Sequence, residues 1–171
     1  MLALCMASAA HREPSSSNSE EAARQRAVRR SGLLDGWGAS DLQRIVERAA
    51  KIFQAPIAAI SIIDGQRQWF AASQGLDVAE TPRSQSFCAH AIHRPGEPLV
   101  VLDAAHDPRF AANPLVTDDP GIRFYAGVPL IDRMGYALGA LCVIDTNPRP
   151  APENLIELTL LAHEAERALK R

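Results

Sequence analysis

The stretch "IAAISII", residues 57–63, narrows the fold more than any other. A strand with one wet face alternates apolar and polar residues; here only Ser61 interrupts the apolar run. Such a strand needs cover on both faces. Asp64-Gly65 follows at once as a tight-turn signal, and "QRQWFAAS" reads as the returning strand. The centre of the fold is therefore expected to be an antiparallel sheet held between two layers.

One layer is legible as helices. Between Asp41 and Phe53, residues Leu42, Ile45, Val46, Ala49, Ala50 and Phe53 recur at helical spacing and form one apolar stripe. Ser40 with Gln43 reads as a capping box, and Pro56 ends the helix. "EEAARQRAVRRSGLLDG" predicts an earlier helix as far as Gly32, with Arg24, Arg26, Arg29 and Arg30 on a solvated face. "FYAGVPLI" and "YALGALCVID" form a second hairpin around "DRMG". A closing helix follows, with Pro152 near its first turn and Glu153 favourably placed against the dipole. Between the hairpins, residues 75–118 hold a third strand, "LVVL", and irregular segments in which Asp107-Pro108 opens a helical turn. The order predicts an α+β domain, with terminal helices on one sheet face and the insert on the other. A long insert over a sheet face is a natural place for a pocket.

With 171 residues and 47% hydrophobic content, the chain can build one real core. A formal net charge of -2 supplies no basic field for nucleic acid. No apolar run approaches the ~20 residues that span a bilayer, so no membrane partner is expected. The three cysteines, Cys5, Cys88 and Cys142, give no disulfide framework, and a reducing cytoplasm is the simplest compartment. The start, "MLALCMASAA", is apolar but lacks the charged n-region of a secretion signal. Residues 1–23 are expected to be disordered and residues 24–171 to form the domain.

"SFCAHAIH", residues 86–93, concentrates the reactive atoms and reads as a short helix. His90 and His93 share a helix face, whereas Cys88 lies about 200° away from His90. That spacing does not make a zinc site. A nucleophile reading needs a base, which His90 could be, and a resolving thiol, for which Cys142 inside a strand is the available residue. In the third reading Cys88 packs in a lid helix with Phe87 and Ile92, and His90 edges a pocket as a donor or a pH switch.

Several stretches together resemble the GAF domain family, in its bacterial sensory subgroup found ahead of histidine kinases and diguanylate cyclases: "DGQRQWF", "SFCAHAI", "DPRFAANPLV" and "GIRFYAGVPL". The resemblance runs over roughly residues 28 to 169. It implies a six-stranded antiparallel sheet, terminal helices on one side, a ligand-sized pocket on the other, and a role as a sensor that signals through its terminal helices. The cysteine that anchors bilin in light-sensing relatives is missing from "NPLVTDDPGIRFYAG", and the signature of cyclic-nucleotide-binding relatives is absent, so the resemblance implies no cofactor. The expectation is a stand-alone, non-catalytic module that binds a small molecule or protein partner and acts on a separate kinase or cyclase. The competing class is a thiol redox enzyme or sensor built on Cys88, like the free methionine sulfoxide reductases.

The pocket candidates are Phe87, Cys88, His90, Asp103, Arg109, Phe110, Arg123 and Tyr125. Each has a purely structural alternative. Asp103 can cap the turn after its strand. Arg109 and Arg123 can bind an anion or pair with Asp103, Asp107 or Asp119. Phe124, Tyr125 and Trp69 are first of all core aromatics. In the last helix Leu155, Leu158, Ala162, Ala165 and Leu169 recur at heptad spacing, with Ile156 and Leu160 as a second strip. That pattern predicts a homodimer through terminal helices, in which Ala162 and Ala165 allow close approach.

Overall fold

The computed structural model describes residues 14–169. The apolar start and Cys5 lie outside the described residues. The chain opens with α1 (Pro14–Arg30) and α2 (Ala39–Phe53), continues through the hairpin β1 (Ile57–Asp64) and β2 (Arg67–Gln74), and enters the insert. The insert carries β3 (Glu80–Pro82), α3 (Phe87–Ala91), β4 (Leu99–Val101) and α4 (Pro114–Thr117). The second hairpin, β5 (Phe124–Ile131) and β6 (Ala137–Asp145), leads to α5 (Leu155–Leu169). The six strands form one antiparallel sheet in the order β3-β2-β1-β6-β5-β4.

The strand buried on both faces is as the sequence predicts: β1 is buried from Ile57 to Ile63. Ala58, Ile60 and Ile62 face the terminal helices, and Ala59 and Ile63 face the insert. The hairpin turn sits one residue later than Asp64-Gly65, since Asp64 still pairs with Arg67 and the loop is Gly65-Gln66. Gly65 adopts φ 58, the left-handed region where a Cβ is costly.

α2 buries all six residues of its expected stripe. Its start differs. The N-cap is Gly38, without a side-chain bond, so Ser40 lies inside the first turn and the capping box does not form. At its other end Arg149 donates to the Phe53 carbonyl at 2.5 Å and the Gln54 carbonyl at 2.9 Å, which satisfies carbonyls that the helix leaves open.

α1 departs further from expectation. It reaches back to Pro14, into the segment read as disordered. Its Arg24 is not on a solvated face: it is 7% exposed and holds Glu21 through two bonds of 2.8 Å. Ala27 and Val28 are buried beside it in the helical layer.

α5 begins at Leu155, so Pro152 and Glu153 precede it and the acidic residue in its first turn is Glu157. Leu158, Leu161, Ala162 and Ala165 are buried within the subunit, whereas Ile156 and Leu160 are 72% and 60% exposed. The expected heptad seam is thus an intramolecular contact. No described helix is long and apolar enough to cross a membrane.

Candidate ligand-binding site

The insert covers the sheet face opposite the helices with a second apolar cluster built from β1, β5, β6 and the insert's own elements. α3 anchors it. Ser86 caps α3 by accepting from the Ala89 amide at 3.0 Å, and its hydroxyl donates to Gln68 Oε1 at 2.5 Å. Gln68 in turn donates to Thr81 Oγ1 at 3.0 Å, which ties α3 to β2 and β3. Further along, Asn113 caps α4 and donates from Nδ2 to the Gln85 carbonyl at 3.1 Å.

Between this cover and the sheet lies a cavity of about 340 Å³. Ile57, Phe70, Leu76, Val78, Phe87, Leu115, Ile122 and Ile144 supply most of its wall. Polar atoms come from Gln68, Thr81, Tyr125, Cys88, Cys142, Asp77 and Asp119. A hydrophobic chamber with a few convergent polar groups is the usual form of a small-molecule site.

The expected site residues divide. Phe87, Cys88 and Tyr125 line the cavity. Phe110 does not line it but supports it: its ring stacks on Phe87 with centroids 4.1 Å apart, and Phe87 in turn lies 5.3 Å from Tyr125. His90 is exposed, edge-on to Phe110 at 4.7 Å, and its partial desolvation there holds it below the ordinary histidine range. Asp103 and Arg109 border a separate open surface groove with His106 and Asp107. Asp103 caps the following turn by accepting from the Ala105 amide at 3.1 Å, and Arg109 pairs with Asp107 at 2.6 Å. Among the described residues Arg123 makes no ion pair; it donates to the carbonyls of Val116 and Ile122, both at 3.0 Å, and so braces the end of α4.

The structure brings Cys88 and Cys142 together as well. Cys88 Sγ lies 3.1 Å from the Tyr125 hydroxyl. The neighbouring Cys142 thiol, and after it the Tyr125 hydroxyl, favour the ionised form of Cys88 against the opposing effect of burial. The Cys142 thiol is pushed well above its usual range by the neighbouring Cys88 and by burial, and burial does the same to the Tyr125 hydroxyl. Every group that favours the Cys88 thiolate is a neutral donor. A catalytic thiolate normally rests on a base or a cation. His90, the base proposed from sequence, contributes nothing to Cys88.

Sequence reading missed most of the wall. Phe70 and Gln68 could have been found by alternation, since they face opposite to Trp69 on β2. Leu76, Val78, Asp77 and Asp119 sit in irregular segments, and Leu115 in the four-residue α4, where no period marks the inward side.

Residues 40–169 match the GAF domain family. The chain belongs to the GAF domain family. Membership carries a sensory, ligand-binding role in signalling, and the six-stranded sheet with its helical and pocket sides is the fold that the resemblance implied. Over 153 residues this GAF domain is 48% identical to the cyclic di-GMP phosphodiesterase PA2567 of Pseudomonas aeruginosa. That match takes in 89% of this chain but 26% of the relative, so the chain spans about a quarter of the relative's length. Among solved structures, the GAF domain of an Acinetobacter phosphoenolpyruvate-protein phosphotransferase superposes with a TM-score of 0.60 at 20% identity, covering 86% of this chain and 90% of that one. A free methionine-R-sulfoxide reductase from Neisseria meningitidis superposes with a TM-score of 0.63 at 19% identity, covering 86% and 84%. At such identities the likeness is one of fold, and it does not carry the reductase chemistry to Cys88.

Proposed function

We propose that this GAF domain is a non-catalytic sensor that binds one small molecule in the cavity beneath the insert and passes occupancy to an output unit through its terminal helices. The observation that carries the reading is the cavity itself, placed between the sheet and a cover of short, separately anchored segments. β5 and β6 contribute to both layers: Tyr125 and Cys142 face the cavity, while Phe124 and Val143 face the helices. A ligand that shifts the first pair acts on the second through the same strands. The output is a kinase or cyclase, or a phosphodiesterase of the kind named for the Pseudomonas relative. A homodimer belongs to the same reading, with the exposed strip of Ile156 and Leu160 as its contact in place of the buried Ala162 and Ala165.

The test fills the cavity. Leu115→Trp puts an indole into the chamber from α4 and leaves every residue of the sheet unchanged. Native mass spectrometry of the freshly purified wild type should show a bound small molecule, or a metabolite extract should raise its Tm. The Leu115→Trp protein should keep its circular dichroism and lose both effects. A folded variant that retains the ligand response moves binding away from this cavity, and a wild type that binds nothing in either assay overturns the sensor reading.

A further inference from the structure

We infer that the cavity selects a cationic or neutral molecule with an apolar body, and rejects phosphorylated ligands, cyclic dinucleotides among them. The inference rests on the proposed pocket and concerns which chemistry it takes. Of all residues lining the chamber, none is arginine, lysine or histidine. Its charged residues are Asp77 and Asp119, both exposed. Among the described residues neither carboxylate forms an ion pair or hydrogen bond, whereas Asp103, Asp107 and Asp145 are all held by a basic partner. The chamber's own lining is therefore negative, with no cation among its residues, and the two carboxylates are free to meet a positive charge on a ligand.

Deeper in, the polar atoms are already engaged. Gln68 bonds Ser86 and Thr81, and the Tyr125 hydroxyl meets the Cys88 thiol. What remains for a ligand inside is largely carbon: Phe70, Phe87, Ile122 and Ile144. A phosphate needs arginine, lysine or a helix N-terminus to replace its water. Here it would meet two carboxylates and an apolar wall, and burying it would leave its charge unpaired. An alkyl- or arylamine fits both halves, with its body against the apolar wall and its ammonium at Asp77 and Asp119. The domain is accordingly built to sense something other than the cyclic dinucleotide that the Pseudomonas relative is named for.

The experiment uses probes that share one body and differ in charge: phenethylamine, 2-phenylethanol and phenylacetate, with cyclic di-GMP as a fourth. Affinities are measured by calorimetry on the whole chain at low and high salt. The amine should bind roughly tenfold more tightly than the carboxylate, as expected for two solvent-exposed charge contacts, with the alcohol between them. That preference should shrink as salt screens the carboxylates. In Asp77→Asn/Asp119→Asn the three phenyl probes should become equal, and cyclic di-GMP should bind neither protein. If the carboxylate or cyclic di-GMP binds as tightly as the amine, and Leu115→Trp abolishes that binding, the charge selection is wrong and the cavity reading stands. If no probe binds the wild type, the inference falls while the cavity reading keeps its own test; if Leu115→Trp leaves probe binding intact, both fall.

Discussion

Gly127 shows how a single missing side chain shapes the pocket floor. It lies two residues after Tyr125 on β5, so both face the cavity side, and the tyrosine ring leans along its own strand over the glycine. A Cβ at Gly127 would stand 2.1 Å from the Tyr125 hydroxyl and 2.6 Å from the ring carbon that bears it. Gly127→Ala should therefore push the ring away from Cys88 and destabilise the fold by about 1–3 kcal/mol, the usual cost of overpacking, read by urea denaturation. Tyr125→Phe in the same chain should recover only part of that loss, because the ring carbons still collide; full additivity of the two changes would mean that the ring does not lie over Gly127. Nothing in "FYAGVPLI" announces this. Strand periodicity finds Tyr125 and Gly127 on one face, but not that the larger residue occupies the space of the smaller. The same limit explains the candidate list. Phe87, Cys88 and Tyr125 were legible because apolar or reactive residues in ordered elements point somewhere definite. Arg109 and Arg123 drew attention by charge, and each is spent on structure: one on Asp107, the other on carbonyls.

Elements were legible to the degree that burial set their pattern. α2 has a stripe that one layer must cover, and every member is buried. β3, with three residues ending in Pro82, has no pattern to read; it is an edge strand held by its pairing with β2. α5 is the instructive case. Its heptad positions and its exposed strip are both apolar, and periodicity cannot say which one faces the sheet. The structure turns Leu158, Ala162 and Ala165 inward and leaves Ile156 and Leu160 outside. Two variants separate the roles. Ala162→Glu places a carboxylate against the apolar helical layer, where nothing pairs it, and should cost several kcal/mol or prevent folding. Ile156→Glu with Leu160→Glu should change monomer stability by less than about 0.5 kcal/mol, because both side chains already face solvent. Light scattering at tens of micromolar should then report a dimer for the wild type and a monomer for this pair. A wild type that is already monomeric would remove the dimer from the proposed function and leave the packing of α5 untouched.

At the scale of the whole molecule, the helical and insert layers are tied across the sheet edge by Glu21. It accepts from Arg24 on its own helix at 2.8 Å and from Arg83, which follows β3 in the insert, at 2.6 Å. Arg83 also donates to the Gly65 carbonyl at 3.0 Å, and Gln25 bonds both the Gly65 amide and Asp64, so α1, the first hairpin turn and the insert meet at one place. Hydrogen bonding from Arg24, joined by Arg83, holds the Glu21 carboxyl at about 2, below its ordinary 4.5 and against the opposing effect of burial. A carboxyl that is more acidic in the folded chain than in the unfolded one stabilises the fold above the unfolded value, and that contribution is lost as pH falls toward the folded value. Glu21→Gln should consequently be less stable than the wild type at neutral pH, by about 1 kcal/mol or less given the partly exposed carboxylate. The gap should stay constant down to about pH 5, narrow between 4.5 and 2, and close below that, measured as the difference in urea unfolding free energy across a pH series. Other carboxylates titrate in both proteins and cancel in the difference. A gap independent of pH would mean that the glutamine replaces the ionic contact with an equivalent neutral one, and that the layers are joined by packing and not by the charge on Glu21. The placement also explains why α1 extends the domain beyond the boundary that composition suggests. A helix so rich in arginine and glutamate reads as solvated, yet Glu21 and Gln25 spend their polar groups on the insert and the first hairpin turn and Arg24 on the start of β6, while Ala27 and Val28 bury its apolar side.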